Sequence, residues 1–221
     1  MSLQESRKTR AMILAYGLAG VAGALVLFAG DMLFYYQPGS DDFLANMAAA
    51  APGRVVASGL CALLAAWLYA LGSGQVYLAL APAAAWLRAL VFGSFAAVMI
   101  AYGVIHGAYV AIVVAARNAA AAGQNPAAAV ELAWRANEAM RDVTMIPFAV
   151  FTVFFTWAVL TGRSLYPRWV LVFSPVVLYL LKGPLVSRLS GGWLVVLGGG
   201  YLNLLLLVFF AVSTTALLRR R

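Results

Sequence analysis

Apolar residues run along this chain in long, unbroken stretches separated by short polar clusters. Stretches of about 20 residues match the thickness of a bilayer's hydrocarbon core. They are rich in Ala, Leu and Val and do not alternate, which favours spanning helices over the strands of a barrel. The pattern predicts six spans, at about 11–36, 55–79, 86–115, 143–162, 167–187 and 193–217, in one transmembrane domain covering 1–221. The expected fold class is all-α, a polytopic membrane helical bundle.

Two short helices are predicted at the outer interface. The first follows Pro38-Gly39-Ser40-Asp41-Asp42, with Ser40 or Asp41 as its N-cap, and carries Phe43, Leu44 and Met47. The second opens on Asn125-Pro126 and runs to about Met140, with Trp134 anchoring it among headgroups. Pro167 suits the start of the fifth span. Gly183-Pro184 and Gly198-Gly199-Gly200 are expected to make the backbone irregular where it lines a cavity.

Charge assigns the orientation. With the N-terminus inside, the inner ends hold Arg7, Lys8, Arg10, Arg88, Arg163, Arg168, Arg219, Arg220 and Arg221 against Glu5 alone. The outer side holds Arg54, Arg117, Arg135, Arg141 and Arg188, balanced by Asp41, Asp42, Glu131, Glu138 and Asp142. The positive-inside rule then places both termini in the cytoplasm. Arg7-Lys8-Arg10 resembles a signal n-region, but the following run is too long for an h-region and is read as a retained helix.

Composition agrees. The 221 residues are 65% hydrophobic and 10% charged, with net charge +8, and mean hydropathy is +0.93. Because the basic residues cluster at the span ends, the positive charge reads as a topology signal, with membrane lipids and no nucleic acid as the expected partners. One Cys, Cys61, precludes an intramolecular disulfide. One His precludes a histidine-rich zinc site or a bis-histidine haem in one chain, and no metal or cofactor is expected.

Two charges fall inside spans: Asp31, in Phe28-Ala29-Gly30-Asp31-Met32, and Lys182. A charge in hydrocarbon costs a few kcal/mol or more, so something must pair with it, wet it or use it. At 1.5 Å per residue, Asp31 lies roughly 8 Å below the outer rim, Lys182 roughly 9 Å, and His106 roughly 12 Å. Tyr201 and Asn203 lie roughly 12–15 Å in. These depths point to a shared polar cavity in the outer half. Tyr102, His106 and Tyr109 follow helical spacing on the third span, where Gly103 and Gly107 admit a neighbouring helix. Asp31 and His106 are the candidate acid/base pair. Tyr35, Tyr102, Tyr109, Lys182, Tyr201 and Asn203 are the candidate substrate-binding residues. Simpler roles stand beside these: Lys182 neutralising Asp31 or snorkelling to headgroups, His106 bonding Tyr102 or a carbonyl, and Asn203 joining helices.

Leu165-Tyr166-Pro167-Arg168-Trp169, Gly199-Gly200-Tyr201-Leu202-Asn203, Phe209-Phe210 and Ser213, with Gly30-Asp31 and the His106 stretch, resemble a family of bacterial multi-pass membrane proteins of unknown function. That resemblance implies a bacterial inner-membrane location and brings no activity. Gly30-Asp31 and His106-Gly107-Ala108-Tyr109 are also similar to motifs of membrane lysoplasmalogenases, which are expected to have more spans and a second essential aspartate. This chain has no second acid within its predicted spans. Three functions remain open: an intramembrane enzyme acting on a lipid or amphipathic small molecule, a transporter or ligand-binding protein using the same cavity, and a structural subunit.

Overall fold

The computed structural model describes residues 3–219, and every regular element among them is helical. Arg220 and Arg221 of the orientation argument lie outside the described residues. Helix α1 is Leu3–Tyr35, α2 is Phe43–Ala49, α3 is Pro52–Ala79, α4 is Ala85–Ala121 and α5 is Pro126–Leu160. A 3-10 turn, Arg168–Phe173, leads into α6, Pro175–Leu180, and α7, Lys182–Val186. After α8, Gly191–Trp193, a π-helical turn at Leu194–Gly199 leads into α9, Tyr201–Arg219. Among the described residues, five helices are long and apolar enough to cross a membrane.

The fifth predicted span is not one continuous helix. Proline lacks an N–H and pushes the residue before it out of helical geometry. Ser174, ahead of Pro175, is accordingly extended at φ −67° and ψ 150°. The result is an apolar segment in three short pieces. The sixth span begins inside the π-helical turn, where Gly198, Gly199 and Gly200 offer no side chains to hold an α-helical register.

The second predicted interfacial helix also differs. Asn125 caps it as expected, accepting from the Ala127 N–H at 3.0 Å, but the helix continues without a break through the fourth span to Leu160. No Gly or Pro stands between Met140 and Ile146, so the charged stretch there stays helical. Helices α4 and α5, with 37 and 35 residues, are roughly 55 and 52 Å long against about 30 Å of hydrocarbon. They therefore form an antiparallel pair that runs well past the end of α1. Helix α2 is present, capped by Asp42, whose Oδ1 accepts from the Ala45 N–H at 3.0 Å. Asp41 instead accepts from the Gly191 N–H at 3.2 Å.

Neighbour packing runs α9 to α1 to α3 to α4 to α5. At the end carrying the termini, Arg10 donates to the Leu218 carbonyl at 2.7 Å. Above that end lies an aromatic core, in which Phe95 stacks on Phe151 at 4.6 Å and Phe155 meets Phe209 edge-on at 6.1 Å. This ties α5 back to α9 and closes the bundle. Helices α1 and α3 approach to backbone contact: a Cβ at Gly72 would stand 2.7 Å from the Gly20 Cα. At the opposite, distal end, Arg54 donates to the carbonyls of Met32 at 2.9 Å and Tyr36 at 2.7 Å. It shares the Met32 carbonyl with the Tyr36 N–H, caps the Tyr36 carbonyl beyond the C-terminus of α1, and offsets the negative end of the helix dipole.

Candidate functional site

Asp31 sits one turn before the end of α1 and is 7% exposed. Its Oδ1 is 3.1 Å from His106 Nδ1. Its Oδ2 accepts from Asn203 Nδ2 at 2.7 Å. The partner of Asp31 is thus the imidazole, and no ion pair joins Lys182 to it among the described residues. The contact depends on Gly30: a Cβ there would lie 2.9 Å from Cys61 Cβ and 3.1 Å from His106 Nε2. Gly30→Ala should therefore displace the ring and lower the thermal unfolding midpoint. A destabilisation of ~1–3 kcal/mol is typical of overpacking, and a midpoint equal to wild type would contradict the contact.

Two more residues extend the network. His106 Nε2 is 2.8 Å from Ser58 Oγ, and Ser58 donates to the Gly30 carbonyl at 2.7 Å. Tyr69 donates to Asn203 Oδ1 at 3.0 Å, which fixes the amide with Nδ2 toward Asp31. The chain of contacts is Tyr69, Asn203, Asp31, His106, Ser58, drawn from four helices. Ser58 and Tyr69, both on α3, are roughly 16 Å apart along its axis. Phe34 stacks on the His106 ring at 5.1 Å and holds its plane.

Ser58, His106 and Asp31 have the connectivity of a serine hydrolase triad. The cavity argues against that use. About 140 Å³ of space is lined by Asp31, His106 and Asn203, by Tyr35, Tyr102, Tyr109 and Tyr179, by Arg141, Thr144 and Lys182, and by apolar residues including Phe148 and Leu202. Ser58 is fully buried and is not part of this wall. Both nitrogens of His106 are already engaged, so the ring offers the cavity carbon atoms only. Each oxygen of Asp31 keeps a second lone pair. Asp31 is therefore the group able to exchange a proton with a bound molecule, and His106, Asn203 and Ser58 hold it in place.

Six of the predicted residues besides Asp31 line the cavity: His106, Tyr35, Tyr102, Tyr109, Lys182 and Asn203. Tyr201 does not. Two residues from Asn203 is about 200° around the helix, so the two cannot share a face. The Tyr201 hydroxyl donates to the Leu178 carbonyl at 2.8 Å instead, tying α9 to α6. Sequence reasoning missed Arg141, placing it in an outer loop. Its Nε donates to Asn137 Oδ1 at 3.1 Å and its Nη2 donates to the Tyr109 hydroxyl. Asn137, buried at 2%, donates to the Ile105 carbonyl at 2.9 Å and so locks α5 to α4 at this level. The signal available was the i, i+4 spacing of Asn137 and Arg141.

Of the stretches expected to be irregular at the cavity, Gly199 in the π-helical turn lines it, as does Lys182 at the α6–α7 junction, whereas Gly183, Pro184, Gly198 and Gly200 do not. Among the described residues, no group of three or more His, Cys, Asp or Glu side chains is placed to hold a metal ion.

Comparison with known proteins gives one relationship. Residues 4–220 match a family described as "Family of unknown function (DUF6796)". No curated protein and no solved structure matches the chain, so the similarity to membrane lysoplasmalogenases finds no counterpart. With nearly its whole length matched, the chain belongs to the DUF6796 family.

Proposed function

We propose that this membrane protein is an intramembrane enzyme acting on a lipid or amphipathic small molecule by acid/base chemistry, with Asp31 as the proton carrier. The observation that carries this reading is the pairing of Asp31 with His106 at 3.1 Å on the wall of a cavity lined by both polar and apolar side chains. An ion pair serving packing alone would need no cavity beside it. A carboxylate held by two donors, with spare lone pairs facing open space, suits abstraction and return of a proton. Tyr35, Tyr102, Tyr109, Lys182 and Asn203 orient the substrate. The distal end faces outward and both termini face the cytoplasm, in a bacterial inner membrane. The positive-inside count supports this orientation.

The test compares membrane lipids and amphipathic metabolites in cells making wild type or Asp31→Asn at equal protein levels. At least one species should be consumed, and another appear, only with wild type. Identical profiles would contradict the enzyme. A second reading, transport, draws support from the broken backbone at the cavity, since transporter sites are built on discontinuous helices. Solute counterflow in proteoliposomes, lost in Asp31→Asn with no lipid converted, would select it.

A further inference from the structure

The cavity wall carries two basic side chains, Arg141 and Lys182, against the single carboxylate of Asp31. That carboxylate is already committed to His106 and Asn203. Among the described residues neither cation is within ion-pair distance of an acid; the pairs present are His106 with Asp31 and Arg135 with Glu131. Arg141 has only neutral partners, the Tyr109 hydroxyl and the Asn137 amide. Lys182 is half-buried and makes no hydrogen bond among the described residues. A half-buried cation such as Lys182 is costly to keep at membrane depth without a counter-charge, while Arg141, on the same cavity wall, is also exposed at the surface. The same cavity is also lined by apolar side chains, among them Phe148, whose ring meets Tyr179 at 5.7 Å. Met145, which also lines the cavity, is 43% exposed. Met145 on α5 thus lies both on the cavity wall and at the surface of the bundle.

We infer that the molecule taken up by this site carries an acidic oxyanion, a phosphate or carboxylate, held between Lys182 and Arg141, with its apolar part lying past Met145 toward Phe148. A guanidinium and an ammonium converging from α5 and the α6–α7 junction match such a group in charge and in donors. This deepens the enzyme reading by naming the substrate class and rests on that reading for the identity of the site.

Binding tests it without turnover. Protein purified in an uncharged detergent is titrated with n-dodecyl phosphate, following the thermal unfolding midpoint, which rises with occupancy of the folded state. Lys182→Met and Arg141→Gln should each weaken apparent affinity about tenfold or more, in line with loss of one charge-assisted hydrogen bond. Arg135→Gln, outside the cavity wall, should leave it unchanged. Asp31→Asn should bind at least as tightly as wild type, since a like charge is removed. If Lys182→Met does not fold, Lys182→Gln serves in its place. A parallel titration with inorganic phosphate separates the sources. An equal, Lys182-dependent shift identifies a soluble oxyanion, and a shift with the alkyl phosphate alone identifies a lipid-like one. Equal responses from wild type, Lys182→Met and Arg141→Gln would overturn the inference, as would an Arg135→Gln loss as large as theirs. Because turnover is not read, the acid/base reading stands or falls separately.

Discussion

Asp31→Asn is expected to abolish turnover while leaving the protein folded. The fold should survive because the network can close around an amide. Asparagine Oδ1 can accept from Asn203 Nδ2, as Asp31 Oδ2 does at 2.7 Å. Its Nδ2 can donate to His106 Nδ1, provided the ring carries its proton on Nε2. That tautomer donates toward Ser58 Oγ, 2.8 Å away, and Ser58 keeps its bond to the Gly30 carbonyl. Each contact of the network then keeps one donor and one acceptor, and the second N–H of the amide is left to the cavity that position 31 lines. What the amide cannot do is take up and return a proton. General acid/base catalysis contributes about 10²–10⁴-fold, so activity should fall by at least that factor, with the unfolding midpoint within a few degrees of wild type. Turnover on an identified substrate, beside thermal unfolding of the same preparation, checks both halves. Full activity would remove Asp31 from the chemistry. Loss of activity only in step with loss of folded protein would make its role structural.

Gly72→Val should be the most damaging single change to the fold. A Cβ at this position would lie 2.7 Å from Gly20 Cα and 2.9 Å from Gly20 N, with Phe210 Cε1 at 3.2 Å. The first two are backbone atoms and cannot rotate aside, so α1 and α3 must separate. Overpacking costs typically ~1–3 kcal/mol when side chains can adjust, and the cost here should reach the upper end of that range or pass it. Separation would also pull Asp31 on α1 away from the α3 residues Ser58 and Tyr69 that brace its partners. A lower unfolding midpoint, with less monodisperse protein recovered in detergent, is the expected outcome. A midpoint equal to wild type would mean that the two helices do not meet at Gly20 and Gly72.

The sequence carried more of the site's depth than of its pairing. Asp31 and Lys182 stand out because charges are rare in apolar runs, and the fixed rise of a helix then sets their level. His106 and Asn203 could be added by the same count. Rotation about the helix axes decides which groups meet, and hydropathy does not encode it. Lys182 and His106 were equal contenders for Asp31 until geometry put the imidazole beside it. Ser58 and Tyr69 were unremarkable in a membrane helix, where hydroxyls usually bond their own backbone. Their partners become visible only when α3 is placed against α1, α4 and α9. Arg141 was hidden for another reason. It sits among charged residues that read as a loop, and only the unbroken passage of α5 through that stretch brings it level with Ile105 and Tyr109. The broken fifth span could be foreseen from Pro175 and Pro184, which punctuate an otherwise apolar run.

The pairing of Asp31 with His106 is directly measurable, because the chain has a single histidine. Selective ¹⁵N-histidine labelling, with a purification tag free of histidine, gives one imidazole to observe by solid-state NMR in bilayers. In wild type, Nδ1 should carry a proton donated to the Asp31 carboxylate. In Asp31→Asn the same nitrogen should be bare, with the proton on Nε2 toward Ser58. A protonation state at Nδ1 that is identical in the two proteins would contradict the pairing and the acid/base account built on it.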